Sequence, residues 1–80
     1  EKGTLPKIEW NRMQIAAWAR KELNFSEESA KILIDKEIDG AVLMLVESSE
    51  KLESFGIPYG PAVKLFNTGQ RMKFLAERSK

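Results

Sequence analysis

The 80-residue chain has no cysteine and no histidine. Without cysteine there is no disulfide and no thiolate metal site, so apolar packing alone must hold the fold together. The missing histidine removes the commonest general base, and the missing cysteine removes the thiol nucleophile. Carboxylate pairs exist, but the chain is too short to build a deep cleft around them. Gly56, Gly60 and Gly69 are not spaced as a phosphate-cradling loop. No enzymatic activity, no metal and no cofactor are expected. Long apolar runs are also missing. The longest, Ala41 to Val46, is far too short to span a bilayer, and no signal peptide is visible. Neither sign of charge is in excess: 13 basic residues face 12 acidic ones, for a net charge of +1. Modules that bind polyanions carry a clear basic excess, so nucleic acid is not the expected partner.

What is present suits one small domain. Hydrophobic residues make up 42% of the chain, enough for a folded core, although a domain of this size buries a modest share of its surface. The chain begins at Glu1 rather than methionine and is expected to be a piece of a larger protein. Residues 1–8 are expected to form an extension or linker, 9–77 the domain and 78–80 a tail. The absence of cysteine is compatible with an intracellular location, cytoplasm or nucleus.

The pattern of caps and apolar spacings predicts an all-α chain of five helices. Asn11 is a capping residue with Gln14 three positions on, as in a capping box. Ile15, Trp18, Ala19 and Leu23 then recur along one helical face, predicting a first helix over 12–22, broken at Asn24-Phe25. Ser26 caps a second helix, with Glu27 and Glu28 where the helix dipole favours negative charge and Ala30, Leu33 and Ile34 on its apolar side. That helix is expected to end near Lys36. Asp39-Gly40 reads as a turn. The run from Ala41 to Leu45 has no partner strand and reads as a short helix. Ser48 or Ser49 caps a fourth helix carrying Leu52 and Phe55, closed by Gly56. Pro58-Tyr59-Gly60 reads as a loop, and Pro61 as the first residue of a long last helix reaching about Glu77.

Taken in order, Trp10, Ile15 and Trp18, Glu37-Ile38-Asp39-Gly40, Leu43-Met44-Leu45, Leu52, Phe55-Gly56-Ile57 and Gly60-Pro61-Ala62-Val63-Lys64-Leu65 resemble a sterile alpha motif (SAM) domain. The resemblance runs from about Glu9 to Leu75. It implies a five-helix bundle with a long last helix and a scaffold role, associating with itself or another SAM domain through two surfaces. One would be mid-domain, with Asp39, Met44, Glu47 and Glu50. The other would be the start of the fifth helix, with Tyr59, Ala62, Val63 and Lys64. Its Gly-Pro-Ala-x-Lys start is similar to that of polycomb-type and antiviral-effector-type members. Two departures stand out. Glycine occupies position 69, where the family carries a large aliphatic residue, so Phe66 or Phe74 is expected to lean into the vacated space, the alternative being that the helix bends or a partner approaches closely there. One extra residue between Gly40 and Leu52 is expected to lengthen the loop around 47–49.

The charges divide along the chain. Asp35, Glu37, Asp39, Glu47, Glu50 and Glu53 make the middle acidic, and Lys64, Arg71, Lys73, Arg78 and Lys80 make the end basic. Solvated faces account for such runs in general, whereas with the resemblance they read as complementary docking faces. Asp35-x-Glu37-x-Asp39-Gly40 is similar to the start of a calcium loop, but the twelfth position is Val46, which cannot supply the bidentate carboxylate, so the segment reads as a helix junction. Trp10, Trp18, Phe25 and Phe55 are expected in the core. Tyr59 suits either packing at the bundle edge or a role as an interface anchor. Hairpin RNA binding is the alternative implied by a minority of the family. It would need several basic residues at the start of the last helix, where Lys64 stands nearly alone.

Overall fold

A computed structural model describes residues 5–78. It contains five helices: α1 (Arg12–Glu22), α2 (Glu27–Asp35), α3 (Gly40–Leu45), α4 (Ser49–Ser54) and α5 (Tyr59–Arg78). The expected all-α, five-helix bundle is therefore the fold. Of the expected extension and tail, residues 1–4 and 79–80 lie outside the described residues. Leu5 and Pro6 belong to the folded body, Pro6 being buried and Leu5 packing against the core.

The caps account for where the first helices start. Asn11 accepts a hydrogen bond from the Gln14 backbone N–H at 2.9 Å, and the Gln14 side chain accepts one from the Asn11 N–H at 2.9 Å, completing the capping box. Ile15, Ala16 and Ala19 form the buried stripe of α1. The helix ends where Asn24 takes a left-handed conformation with φ 58°, which asparagine tolerates better than most residues. Ser26 then caps α2, accepting from the Ser29 N–H at 3.1 Å. Ser48 caps α4, and Gly56 ends it with φ 110°.

The structure differs from the sequence reading at two junctions. Asp39-Gly40 is not a free-standing turn but the start of α3: Asp39 accepts from the Val42 N–H at 2.9 Å, and Gly40 is the first helical residue. Gly40 lies beneath the N-terminal lead-in, where its N–H donates to the Trp10 carbonyl at 3.0 Å and an added Cβ would collide with the Lys7 carbonyl oxygen. Pro58-Tyr59-Gly60 is likewise not a loop. The Pro58 carbonyl accepts from the Ala62 N–H at 2.9 Å, so α5 begins at Tyr59, two residues before Pro61. Proline is tolerated there because the first-turn N–H groups have no partner within the helix.

α1 packs on α2, and α5 packs against α3 and α4. Ile15, Leu33, Leu43, Leu52 and Leu65, one from each helix, are completely excluded from water at the centre. Each such burial contributes about 1.5–3 kcal/mol. Phe25 is buried, and Trp10, Trp18 and Phe55 pack partly buried against this cluster, as expected for core aromatics. The space at Gly69 is filled neither by Phe66 nor by Phe74. A Cβ at position 69 would stand 2.5 Å from the Leu43 carbonyl oxygen, so the backbone of α3 lies directly on α5. The α3–α4 link, Val46 to Ser48, is tied to the same helix by Gln70, whose side chain donates to the Val46 carbonyl at 3.5 Å. Among the described residues, no helix is long and apolar enough to cross a membrane.

Candidate interaction surfaces

The close seating of α3 decides what that short helix exposes. Leu43 is driven into the core, and Leu45, two positions on, points about 200° away from it. Leu45 is accordingly 74% exposed, the most exposed large apolar side chain, with Val42 at 38% beside it. Together with Ile38, Val46 and Phe55 they line a groove of about 480 Å³ between the α2–α3 junction, α3 and α4. Its charged rim is formed by Lys36, Lys51 and Glu47. The Lys36 ammonium sits 5.3 Å from the centre of the Phe55 ring, a cation–π contact. Along α4, Lys51 and Phe55 are one turn apart and face the groove, Leu52 faces the core, and Glu50 and Glu53 do not line the groove.

The mid-domain residues singled out from sequence do not form one patch. Glu47 stands on the rim and Glu50 is exposed on α4 away from the groove. Asp39 is committed to capping α3. Met44 lies elsewhere, in a shallow depression with Pro6, Ile8, Met72 and Leu75. At the other candidate surface, Tyr59 is 70% exposed on the first residue of α5, Val63 is half-buried and Lys64 is exposed. Ala62, unlike these neighbours, is fully buried, because the first turn of α5 turns its side chain into the core. Lys64 and Arg71, seven residues apart and so nearly stacked along the helix, share a groove with Trp18, Asn67 and one carboxylate, Glu22. The basic side of α5 is thus less thin than the sequence suggests. Sequence reading missed the apolar exposure of Ile8, Phe74 and Leu75. The latter two lie beyond Met72, past the last core position of α5, and that was the available signal.

Part of the acidic middle is already neutralised. Asp35 pairs with Lys31 at 3.0 Å and Glu37 with Arg12 at 3.4 Å. With Asp39 acting as a cap, the three carboxylates of the calcium-like segment are each engaged elsewhere and do not converge on one point. Among the described residues, no ion pair involves Glu47, Glu50, Lys36, Lys51, Lys64 or Arg71.

The family described as SAM-like domain matches residues 4–78, nearly the entire chain. The chain belongs to the SAM-like domain family. It is also 36% identical over 62 residues to mouse "Sterile alpha motif domain-containing protein 9-like", a match covering 75% of this chain and 4% of that much longer protein. No solved structure matches it significantly. SAM domains generally mediate protein interactions, often with themselves or with one another, and typically serve as non-catalytic scaffolds. Leu45 and Val42 mid-domain, and Tyr59, Lys64 and Arg71 along α5, are among the exposed side chains of this SAM-like domain.

Proposed function

We propose that this SAM-like domain is a protein-interaction module joining SAM domains head to tail, with two mid-domain carboxylates, Glu47 on the groove rim and Glu50 on α4, meeting the Tyr59, Val63, Lys64 and Arg71 side of α5 in the next domain. The observation that carries the reading is the display of opposite, unpaired charges on two different surfaces of one domain. Different surfaces make a heterologous contact, which need not close and can propagate. Complementary charge steers such association and selects partners. The Gly60 to Lys64 start of α5 supports a place among polycomb-type or antiviral-effector-type members, and the lack of cysteine supports an intracellular setting. Hairpin RNA is the weaker fit, since Glu22 shares the groove of Lys64 and Arg71.

Sedimentation velocity over a wide concentration range, at low and high salt, tests the reading. Larger species are expected to grow with concentration and to recede in salt. Glu47→Lys and Lys64→Glu are each expected to weaken association about tenfold, and a mixture of the two variants to recover a dimer through their one intact pair of surfaces. The reading is wrong if both substitutions leave every association unchanged.

A further inference from the structure

At its C-terminal end α5 runs past the core. Met72 is its last buried residue, and every residue from 73 to 78 is exposed. Two of these are large and apolar, Phe74 at 58% exposure and Leu75 at 45%. Leu75 lines one depression with Pro6 and Ile8 and another with Phe74, so it joins the N-terminal lead-in to the helix end. Ile8 is itself 56% exposed, and Ile8, Leu75 and Phe74 form one apolar strip at this end of the molecule. On α5, the charge inside that strip is of one sign. At about 100° per residue, Phe74 and Leu75 bound a sector of the helix, and Arg78 falls within it, about 40° from Phe74. The Arg78 guanidinium lies 5.7 Å from the centre of the Phe74 ring, which keeps the cation beside the apolar strip. Among the described residues, Arg78 is in no ion pair. Glu77 falls about 110° from the middle of the sector and points away from it. Ile8 stands between Lys7 and Glu9, whose charges balance. Arg71 borders the strip one turn before Phe74; it belongs to the head-to-tail surface and is not counted here.

We infer that this end of the domain docks on the surface of a bilayer containing anionic lipids, with Phe74, Leu75 and Ile8 entering the headgroup boundary and Arg78 meeting the lipid phosphates. Phenylalanine and leucine beside basic residues are the side chains with which helices lie in a bilayer interface. The long arginine side chain suits that position, since its stem runs along apolar surface while its charged head reaches the polar layer. Phe74 and Leu75 point about 100° apart, and Ile8 comes from a different segment. A bilayer interface yields around a projecting helix end and takes in all three, whereas a folded partner would need a pocket shaped to each. Charge selects against a second copy seated end against end. Pairing two such strips, in either direction, sets Arg71 and Arg78 against the same two residues of the other copy, with no carboxylate on the face, and like charges in contact disfavour a pairing. One short apolar strip makes a peripheral, reversible attachment and does not insert across the membrane. The site does not rest on the head-to-tail reading, because Ile8, Phe74, Leu75 and Arg78 have no part in that contact.

The test is co-sedimentation of the 80-residue chain with phosphatidylcholine vesicles, with and without phosphatidylserine. Partitioning is expected to be at least about fivefold stronger on the anionic vesicles, the effect of a single basic residue at such a surface, and to recede in high salt. Phe74→Ser/Leu75→Ser is expected to weaken it at least about tenfold by removing buried apolar area. Arg78→Glu is expected to do the same by reversing a charge at the lipid surface. Arg20→Glu makes the same change of net charge on the α1–α2 side and is expected to leave partitioning within about twofold of the parent, because screening confines the effect of a distant charge. Circular dichroism verifies that the variants fold. No partitioning, equal partitioning on both vesicles, or an equal loss in Arg20→Glu and Arg78→Glu would each overturn the inference. Titration with a soluble acidic amphipathic peptide that shifts the 70–78 amides in heteronuclear NMR, with no vesicle binding, would assign this end to a protein partner and overturn it as well. Sedimentation velocity of Phe74→Ser/Leu75→Ser keeps the two readings apart. Self-association equal to that of the parent, with vesicle binding lost, supports a membrane site separate from the head-to-tail contact. Loss of self-association in this variant would make the strip a contact between copies and overturn the inference.

Discussion

Replacing Gly69 by alanine sets two effects against each other. Helix propensity alone favours alanine by about 1 kcal/mol in a helix interior. The added methyl would stand 2.5 Å from the Leu43 carbonyl oxygen, a backbone atom that cannot swing aside, and overpacking of this kind costs about 1–3 kcal/mol. The clash is expected to win, so Gly69→Ala should lower the urea midpoint by the equivalent of about 1–2 kcal/mol. A stabilised variant would show that α3 can lift from α5 at little cost. The sequence marks Gly69 as unusual for its place in a helix but does not say what fills the space. That depends on a backbone 26 residues away in the chain, brought close only when α3 and α5 pack. Ala62 is similar: its sequence neighbours Tyr59 and Lys64 are exposed, and only the seating of α5 decides that it is buried.

At the scale of the element, local hydrogen-bond chemistry explains most of the architecture. Asn11, Ser26, Asp39 and Ser48 each sit in extended backbone and satisfy an N–H of the turn that follows. These signals lie within three residues of one another, which is why α1 and the caps of α2 and α4 were legible in the sequence. The start of α5 was not, because proline suggests a first position while the Pro58 carbonyl closes the turn earlier. Asp39 has both a structural role and a charge, and two substitutions separate them. Asp39→Asn keeps a good cap and removes the charge, so stability should change by no more than a few tenths of a kcal/mol. Asp39→Ala should cost about 1 kcal/mol by losing the bond to the Val42 N–H. Thermal unfolding of the pair measures the cap, and sedimentation of Asp39→Asn alone measures any part its charge has in docking.

For the whole molecule, stability and interaction use different side chains. A domain of this length has a total stability of roughly 4–12 kcal/mol. Leu33→Ala, at a fully excluded position, should remove about 2–5 kcal/mol and leave a substantially unfolded or heat-sensitive chain. Leu45→Ser, at a position 74% exposed, should shift stability by less than about 0.5 kcal/mol. Calorimetry of the two variants verifies that the groove is not a core in disguise. By itself, the sequence determined the helix count, the caps of α1, α2 and α4, the core aromatics and the family, because apolar spacing and capping chemistry act between residues a few positions apart. Only the tertiary structure decided which surfaces exist. Leu45 and Val42 are exposed because α3 is pressed onto Gly69. Glu50 is turned away from a groove that Lys36 and Lys51 flank. Met44 faces a different side from Glu47, and Lys64 is joined by Arg71. Each of these follows from how helices distant in the chain pack together, and packing between distant segments leaves no periodic signal in the order of the residues.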